Sequence, residues 1–93
     1  MQIKVYSVPS CTPCTTLKSW LKNNHIAYEE VSAGDLPDNE FERVTTAIIS
    51  VSKLGQRSFP AVCIIGDYGE EYWISNHGSS DITEMTAEIR GII

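Results

Sequence analysis

Apolar and polar residues alternate along the chain in short blocks that have the period of a strand or of a helix. Four runs rich in β-branched and aromatic residues predict strands; they cover residues 3–8, 26–31, 60–65 and 70–75. Between and after these runs, apolar residues recur at helical spacing and predict three helices, which begin near residues 11, 39 and 81. The expected order of elements is therefore β-α-β-α-β-β-α.

Turn-forming and capping residues separate the blocks. The first helix meets a stop signal at Asn23-Asn24-His25. Asn39 with Glu42 three residues later is typical of a capping box at the start of the second helix. That helix is expected to end near Leu54-Gly55, and Gly66-Asp67-Tyr68-Gly69 predicts a hairpin turn between the last two strands.

The predicted elements leave few possible layouts. The first two strands are expected to be parallel, because a strand–helix–strand connection is a right-handed crossover. The helix positions expected to face the sheet are Phe41, Val44, Ile48 and Val51 in the second helix and Ile82, Met85 and Ile89 in the third. Four strands and three helices in 93 residues predict an α/β fold, a small mixed sheet with helices on both faces. We expect residues 1–93 to form a single domain.

Composition and charge exclude several classes of function. A content of 42% hydrophobic and 20% charged residues is ordinary for a globular protein. The formal charge of −5 without a basic cluster disfavours nucleic acid and anionic membranes as partners, because both require a positive face. No apolar stretch approaches the length of a membrane span, and residue 1 runs almost directly into the first strand without a secretory signal. We therefore expect a cytoplasmic monomer.

Cys11 and Cys14 stand between the first predicted strand and the first predicted helix. A close pair of thiols in a cytoplasmic protein is usually catalytic or metal-bound. A helix beginning near Cys11 places the two thiols on one face of its first turn, about 5–6 Å apart between Cβ atoms, which is near disulfide reach. The helix dipole and the free N–H groups there favour thiolate, the form that attacks disulfides. The pair indicates a redox switch, with buried structural thiols as the alternative.

Neighbouring residues support this interpretation. Pro13 is tolerated in the first helical turn because its missing N–H would be unpaired there. Lys18 would lie on the same helical face as the thiols, where its charge would further stabilise thiolate; a solvated lysine is the alternative. Cys63 lies within an apolar run and is expected to be buried and inert. Three cysteines disfavour a structural zinc site, which normally takes four ligands in two spaced pairs.

The order of elements and three sequence motifs resemble the glutaredoxin family, the smallest form of the thioredoxin fold. The motifs are Val5-Tyr6-Ser7-Val8-Pro9-Ser10-Cys11-Thr12-Pro13-Cys14, Arg57-Ser58-Phe59-Pro60 and Gly78-Ser79-Ser80-Asp81. The resemblance covers nearly the whole chain and implies thiol–disulfide oxidoreduction on disulfide-containing protein substrates. It implies glutathione as a co-substrate, with no tightly bound cofactor and no metal.

The resemblance also implies roles for individual residues. Cys11, more exposed at the helix start, would be the nucleophile, and Cys14 would resolve the mixed disulfide. Pro60 matches the cis-proline of the family, which would stand opposite the thiols and offer the Phe59 backbone to a substrate strand. A proline that simply begins a strand is the alternative.

A further set of residues is expected to bind glutathione. Its members are Thr12, Arg57, Phe59, Gly78, Ser80 and Asp81. A carboxylate of glutathione could rest on the N–H groups of Ser80 and Asp81 at the start of the last helix, while the Asp81 side chain takes the ammonium group. The alternative is plain helix capping, with Glu84 closing a box. Arg57 would lie near the glycyl carboxylate, with an exposed surface arginine as the alternative.

Two departures from the family pattern keep other functions open. Val8 stands where glutaredoxins usually carry Lys, and Pro13 directly before the second cysteine is the thioredoxin arrangement. One alternative is therefore a glutaredoxin-like electron donor, for example to ribonucleotide reductase, that is itself reduced by thioredoxin reductase. Another is a redox-switch adaptor or regulator without turnover. Regulators that resemble arsenate reductases share the Cys-x-x-Cys start but carry an added helical region.

Overall fold

The computed structural model describes residues 1–53, 55–76 and 81–93. Within these ranges the strands are β1 (Gln2–Ser7), β2 (Glu29–Ser32), β3 (Ala61–Ile65) and β4 (Glu71–Ser75), and the helices are α1 (Thr12–Asn23), α2 (Asp38–Val51) and α3 (Thr83–Ile92). One 3₁₀ turn, Ala33–Asp35, follows β2. The predicted order is confirmed. Across the described ranges, every helix is too short or too polar to traverse a bilayer.

The four strands form one mixed sheet in the order β2-β1-β3-β4. β1 is parallel to β2, as predicted, and antiparallel to β3, which is antiparallel to β4. This topology brings the ends of β1, β2 and β4 and the beginning of β3 to one edge of the sheet. The loop that carries Cys11 and the segment that carries Pro60 therefore meet at that edge.

Helices cover both faces of the sheet, as the apolar pattern predicted. Neighbouring strand residues point to opposite faces, so Val5 packs with α1 and α3 whereas Tyr6 packs with α2. The first core contains Ile3, Val5, Leu17, Leu21, Val62, Ile64, Ile74, Ile82, Met85 and Ile89; the second contains Tyr6, Val44, Ile48, Ala61 and Cys63. The predicted inner face of α3 is confirmed.

The second strand is shorter than predicted, because β2 begins at Glu29 and not at residue 26. The preceding residues complete the end of α1. His25 adopts a left-handed conformation with a φ of 57°, and the Ile26 N–H donates to the Leu21 carbonyl at 2.9 Å. Ile26 lies in the segment that connects α1 to β2, where its apolar side chain packs against the core. Its β-branched side chain is therefore no evidence for a strand there.

The capping box predicted for the second helix is wrong. Helix α2 begins at Asp38, so Asn39 lies inside the first turn, and the N-cap position is held by Pro37 without a side-chain hydrogen bond. Asp38 and Glu40 instead place negative charge in the first turn, where it complements the helix dipole.

The predicted end of the second helix is also wrong. Helix α2 ends at Val51, and Ser52 takes an extended conformation with φ −74° and ψ 132°. Val51 is 39% exposed, so it does not belong to the core as expected. Gly55 has a φ of 65°, which suits a glycine in a turn, while Leu54 lies outside the described residues.

Candidate redox-active site

Cys11 and Cys14 form a disulfide at the N-terminal end of α1, so their predicted placement on the first helical turn is confirmed. Cys11 is the N-cap residue, and its Sγ accepts the backbone N–H of Cys14 at 3.2 Å. Pro13 occupies the first turn, where it has no N–H to leave unpaired. Cys14 is only 2% exposed, whereas Cys11 is partly exposed. An external partner therefore has better access to the Cys11 sulfur.

The segment before β3 faces the disulfide. The Phe59–Pro60 peptide bond is cis, as the resemblance implied. The Phe59 carbonyl oxygen lies 3.8 Å from the Sγ of Cys11, so this segment stands directly beside the accessible sulfur. The Asn76 Nδ2 donates a hydrogen bond to the same oxygen at 2.8 Å.

The local sequence pattern did not single out Asn76. The side chain is only 5% exposed, and it follows the last residue of β4, at the sheet edge that carries the disulfide. The register of β3 and β4, in which Ala61 is opposite Ser75, sets this position. A local sequence pattern carries no signal for such a contact between segments 17 residues apart.

A groove of about 850 Å³ runs along the other side of the disulfide. It lies between the β1–α1 loop, the first two turns of α1, and the β2 strand with the 3₁₀ turn after it. Its lining includes Cys11, Thr12, Cys14, Lys18, Glu30 and Asp35. Polar and charged side chains therefore surround both sulfurs on this side.

Lys18 lies in the same groove as the thiols, as predicted, but its ammonium group already has a partner. The Lys18 Nζ is 2.5 Å from the Glu30 Oε2, and the Ser7 hydroxyl donates to that oxygen at 3.1 Å. The hydrogen bond from Lys18, and after it the one from Ser7, hold the pKa of Glu30 below its usual value. Glu30, which sequence reasoning did not single out, therefore offsets the charge of Lys18.

Glu30→Gln is expected to lower the pKa of the reduced Cys11 thiol by roughly half a unit. The substitution removes a negative charge from the groove and leaves the positive charge of Lys18 uncompensated, which favours thiolate. The measurement is the pH dependence of Cys11 alkylation. Glu29→Gln is the matched control, because neighbouring residues of β2 point to opposite faces of the sheet. An unchanged or raised inflection for Glu30→Gln would contradict the prediction.

The structure describes only part of the predicted glutathione-binding turn. Asp81 is described, and its Oδ1 accepts hydrogen bonds from the Thr83 hydroxyl at 2.6 Å and the Thr83 N–H at 2.9 Å. These two bonds hold the pKa of Asp81 below its ordinary value. The carboxylate thus accepts the N–H of the first residue of α3, whereas the N-cap position is held by Ile82 and not by Asp81. Gly78 and Ser80 lie outside the described residues.

The remaining predicted contact residues lie in different surroundings. Thr12 is exposed and lines the groove beside Cys11. Phe59 is partly buried, with its carbonyl against the disulfide. The Arg57 guanidinium lies 5.9 Å from the centre of the Phe41 ring, at the first turns of α2. Arg57 is exposed next to the cis-proline segment, and its guanidinium makes an aromatic contact that the sequence did not indicate.

Cys63 is buried in β3 at 2% exposure, as predicted. Loss of solvation raises the pKa of its thiol to about 11. We expect alkylation at pH 8 to modify Cys11 in the native reduced protein and to modify Cys63 only after unfolding, as measured by mass spectrometry of the peptides. Rapid native labelling of Cys63 would contradict its burial.

Among the described residues, no group of His, Cys, Asp or Glu side chains is arranged to hold a metal ion.

The four-stranded mixed sheet, the disulfide at the start of α1 and the cis-proline beside it define a protein of the thioredoxin fold with a redox-active cysteine pair. The Glutaredoxin family model matches residues 3–68, more than two thirds of the chain. The chain therefore belongs to the glutaredoxin family.

Solved structures are similar to the chain in fold. The thioredoxin-like protein BC3987 is 28% identical, with a TM-score of 0.57 over 92% of this chain and 97% of that one. The glutaredoxin (grx-1) from Archaeoglobus fulgidus is 23% identical, with a TM-score of 0.63 over 97% of this chain and 87% of that one. At that identity, the second similarity concerns the fold alone.

A short segment is also similar to a regulator. The global transcriptional regulator Spx 1 of Bacillus cereus and that of Bacillus anthracis are each 54% identical to this chain over 28 residues. The match covers 30% of this chain and only 21% of each regulator. It therefore spans about a fifth of the length of those curated relatives.

Proposed function

We propose that the protein is a thiol–disulfide oxidoreductase that reduces protein disulfides or glutathione mixed disulfides and is regenerated by glutathione. The observation that carries this proposal is the Cys11–Cys14 disulfide, in which the accessible sulfur caps α1 and lies beside the cis-proline segment. The proposed setting is the cytoplasm, with the protein acting as a monomer on disulfide-containing proteins.

The proposed cycle uses both thiols. The Cys11 thiolate attacks one sulfur of the substrate disulfide, and the other substrate sulfur leaves as a thiolate that takes a proton from solvent. Cys14, after loss of its proton, attacks the Sγ of Cys11 and releases the second substrate thiol. The Cys11–Cys14 disulfide that remains is reduced by two molecules of glutathione, which are oxidised to glutathione disulfide. The net reaction moves two electrons from glutathione to the substrate.

Two features of the site support reaction with a small anionic thiol. Arg57, two residues before Phe59, offers an exposed positive charge next to the cis-proline segment. Cys11 lies at the N-terminus of α1, where the backbone N–H of Cys14 points to its sulfur and would stabilise a thiolate there.

Regeneration by thioredoxin reductase is the second candidate, as in a donor of electrons to ribonucleotide reductase. Val8 in place of the usual family Lys favours it, as does the similarity to a thioredoxin-like protein. Two coupled assays separate the candidates by following NADPH consumption with a glutathionylated peptide as substrate. One contains glutathione and glutathione reductase, and the other contains thioredoxin reductase. We expect turnover in the first; activity in the second alone would reject regeneration by glutathione.

A regulator without turnover is a candidate from another class, and the 28-residue similarity to Spx 1 favours it. Insulin reduction with excess dithiothreitol distinguishes the two classes. An oxidoreductase reduces many insulin disulfides per molecule of protein. A redox switch would be oxidised or reduced once, without raising the rate above that of dithiothreitol alone.

A further inference from the structure

We infer that Asn76 is a positioning residue that holds the Phe59 carbonyl and thereby favours the thiolate of reduced Cys11. The inference rests on the proposed function, since it concerns the proposed nucleophile. It assigns a role to a buried side chain that lies outside the Cys-x-x-Cys motif.

The geometry joins three segments at one oxygen atom. The Phe59 carbonyl oxygen is 2.8 Å from the Asn76 Nδ2 and 3.8 Å from the Cys11 Sγ. Asn76 is 5% exposed, so its amide would be costly to bury without a hydrogen-bond partner. The pairing of β4 with β3 places it directly after Ser75. The amide is thus anchored by the sheet and directed at a carbonyl beside the sulfur.

This carbonyl opposes formation of the thiolate. In the reduced protein, a Cys11 thiol can donate its S–H to the Phe59 oxygen, and a hydrogen bond to the neutral form favours that form. A thiolate in the same place meets the partial negative charge of the oxygen. The Asn76 N–H engages that oxygen and offsets its charge, so the Cys11 proton is released to solvent more readily. The effect has the same direction as the Cys14 N–H on the other side of the sulfur.

Other charged groups lie around Cys11 and must be held constant in a test. On the groove side they are Lys18 of α1, Glu30 of β2 and Asp35 of the 3₁₀ turn. In the sequence next to the cis-proline segment and Asn76, the titratable residues are Arg57, His77 and Asp81. A substitution of Asn76 changes none of them. A shift in the titration of Cys11 therefore reports on the side chain of Asn76 and not on the loss of one of these charges.

Asn76→Ala is tested in a Cys14→Ser background, in which alkylation by iodoacetamide reports on Cys11. We expect the pKa of Cys11 to rise by about half a unit, because the amide contacts the carbonyl in both forms of Cys11 and only the difference between the two forms shifts the pKa. Asn76→Asp keeps the shape but replaces the donor by a carboxylate, so the rise should be larger. Asn24→Ala is the control: its Nδ2 donates to the Trp20 carbonyl at the same distance of 2.8 Å, at the opposite end of α1. It should leave the Cys11 titration unchanged.

A measurement on the unaltered reduced protein avoids any effect of the substitutions on folding. The side-chain amide signals of Asn76 in NMR should shift with pH at the midpoint of Cys11 alkylation, while those of Asn24 should not. The inference is overturned if the Asn76 signals do not respond, or if folded Asn76→Ala titrates like its parent. Failure of the proposed function shows separately, as absence of turnover by the parent protein, and leaves the titration measurable.

Discussion

Cys11→Ser is expected to abolish disulfide turnover completely, whereas Cys14→Ser should retain activity on glutathionylated substrates alone. Without Cys11 the accessible sulfur at the start of α1 is gone, and the remaining Cys14 is only 2% exposed. Without Cys14 the nucleophile can still form a mixed disulfide that external glutathione resolves, because glutathione replaces the second thiol. Protein disulfides, which need the internal resolving step, should no longer be reduced efficiently.

The measurement is the initial rate with a glutathionylated peptide and with insulin for each variant. Cys63→Ala is the matched control, since it removes the third thiol of the chain, which is buried in β3 and has a pKa raised to about 11. That variant should keep the parent rates on both substrates. Equal losses in Cys11→Ser and Cys14→Ser on the glutathionylated peptide would show that the two sulfurs do not have the distinct roles proposed for them.

Ile48→Ala is expected to reduce the free energy of unfolding by about 2–5 kcal/mol. Ile48 is fully buried where α2 packs on the sheet, in the same core as Tyr6 and Ala61. Truncation removes apolar contacts and leaves a cavity that the surrounding side chains fill only in part. Since Ala61 directly follows Pro60, this core also supports the segment that faces the disulfide.

Urea denaturation measures the change in the free energy of unfolding, with one common dependence on urea concentration fitted to the parent and the variant. The control is the next residue of the helix: Ile49 is 41% exposed, so Ile49→Ala should change the stability by less than about 0.5 kcal/mol. Similar losses for the two variants would contradict the assignment of Ile48, and not Ile49, to the core.

The apolar pattern predicted most of the fold, because the spacing of apolar residues along a strand or a helix follows the face of that element that is buried. Val5 and Tyr6 lie on opposite faces of β1, and Met85 and Ile89 lie on one face of α3, as their spacing required. Errors occurred at element ends. Ile26 packs against the core in the segment that connects α1 to β2, and local sequence does not distinguish such a segment from a strand.

The sequence predicted the site residues that lie close together in the chain better than those that only the fold brings together. Cys11 and Cys14 could be placed from sequence because three residues separate them on one helical turn. The cis bond before Pro60 came from the family resemblance, and the structure contains it. The Asn76 hydrogen bond and the Glu30 ion pair were missed, because each joins residues from different elements.

By itself the sequence determined the order of elements, the helical turn that carries two thiols, and the burial of Cys63. These properties depend on interactions between residues close in the chain, or on the apolar period of a single element. Only the tertiary structure decided which groups surround the Cys11 sulfur: the Phe59 carbonyl with Asn76 on one side, and Glu30 with Lys18 in the groove. Strand order and register set those distances, and they result from packing of the whole chain.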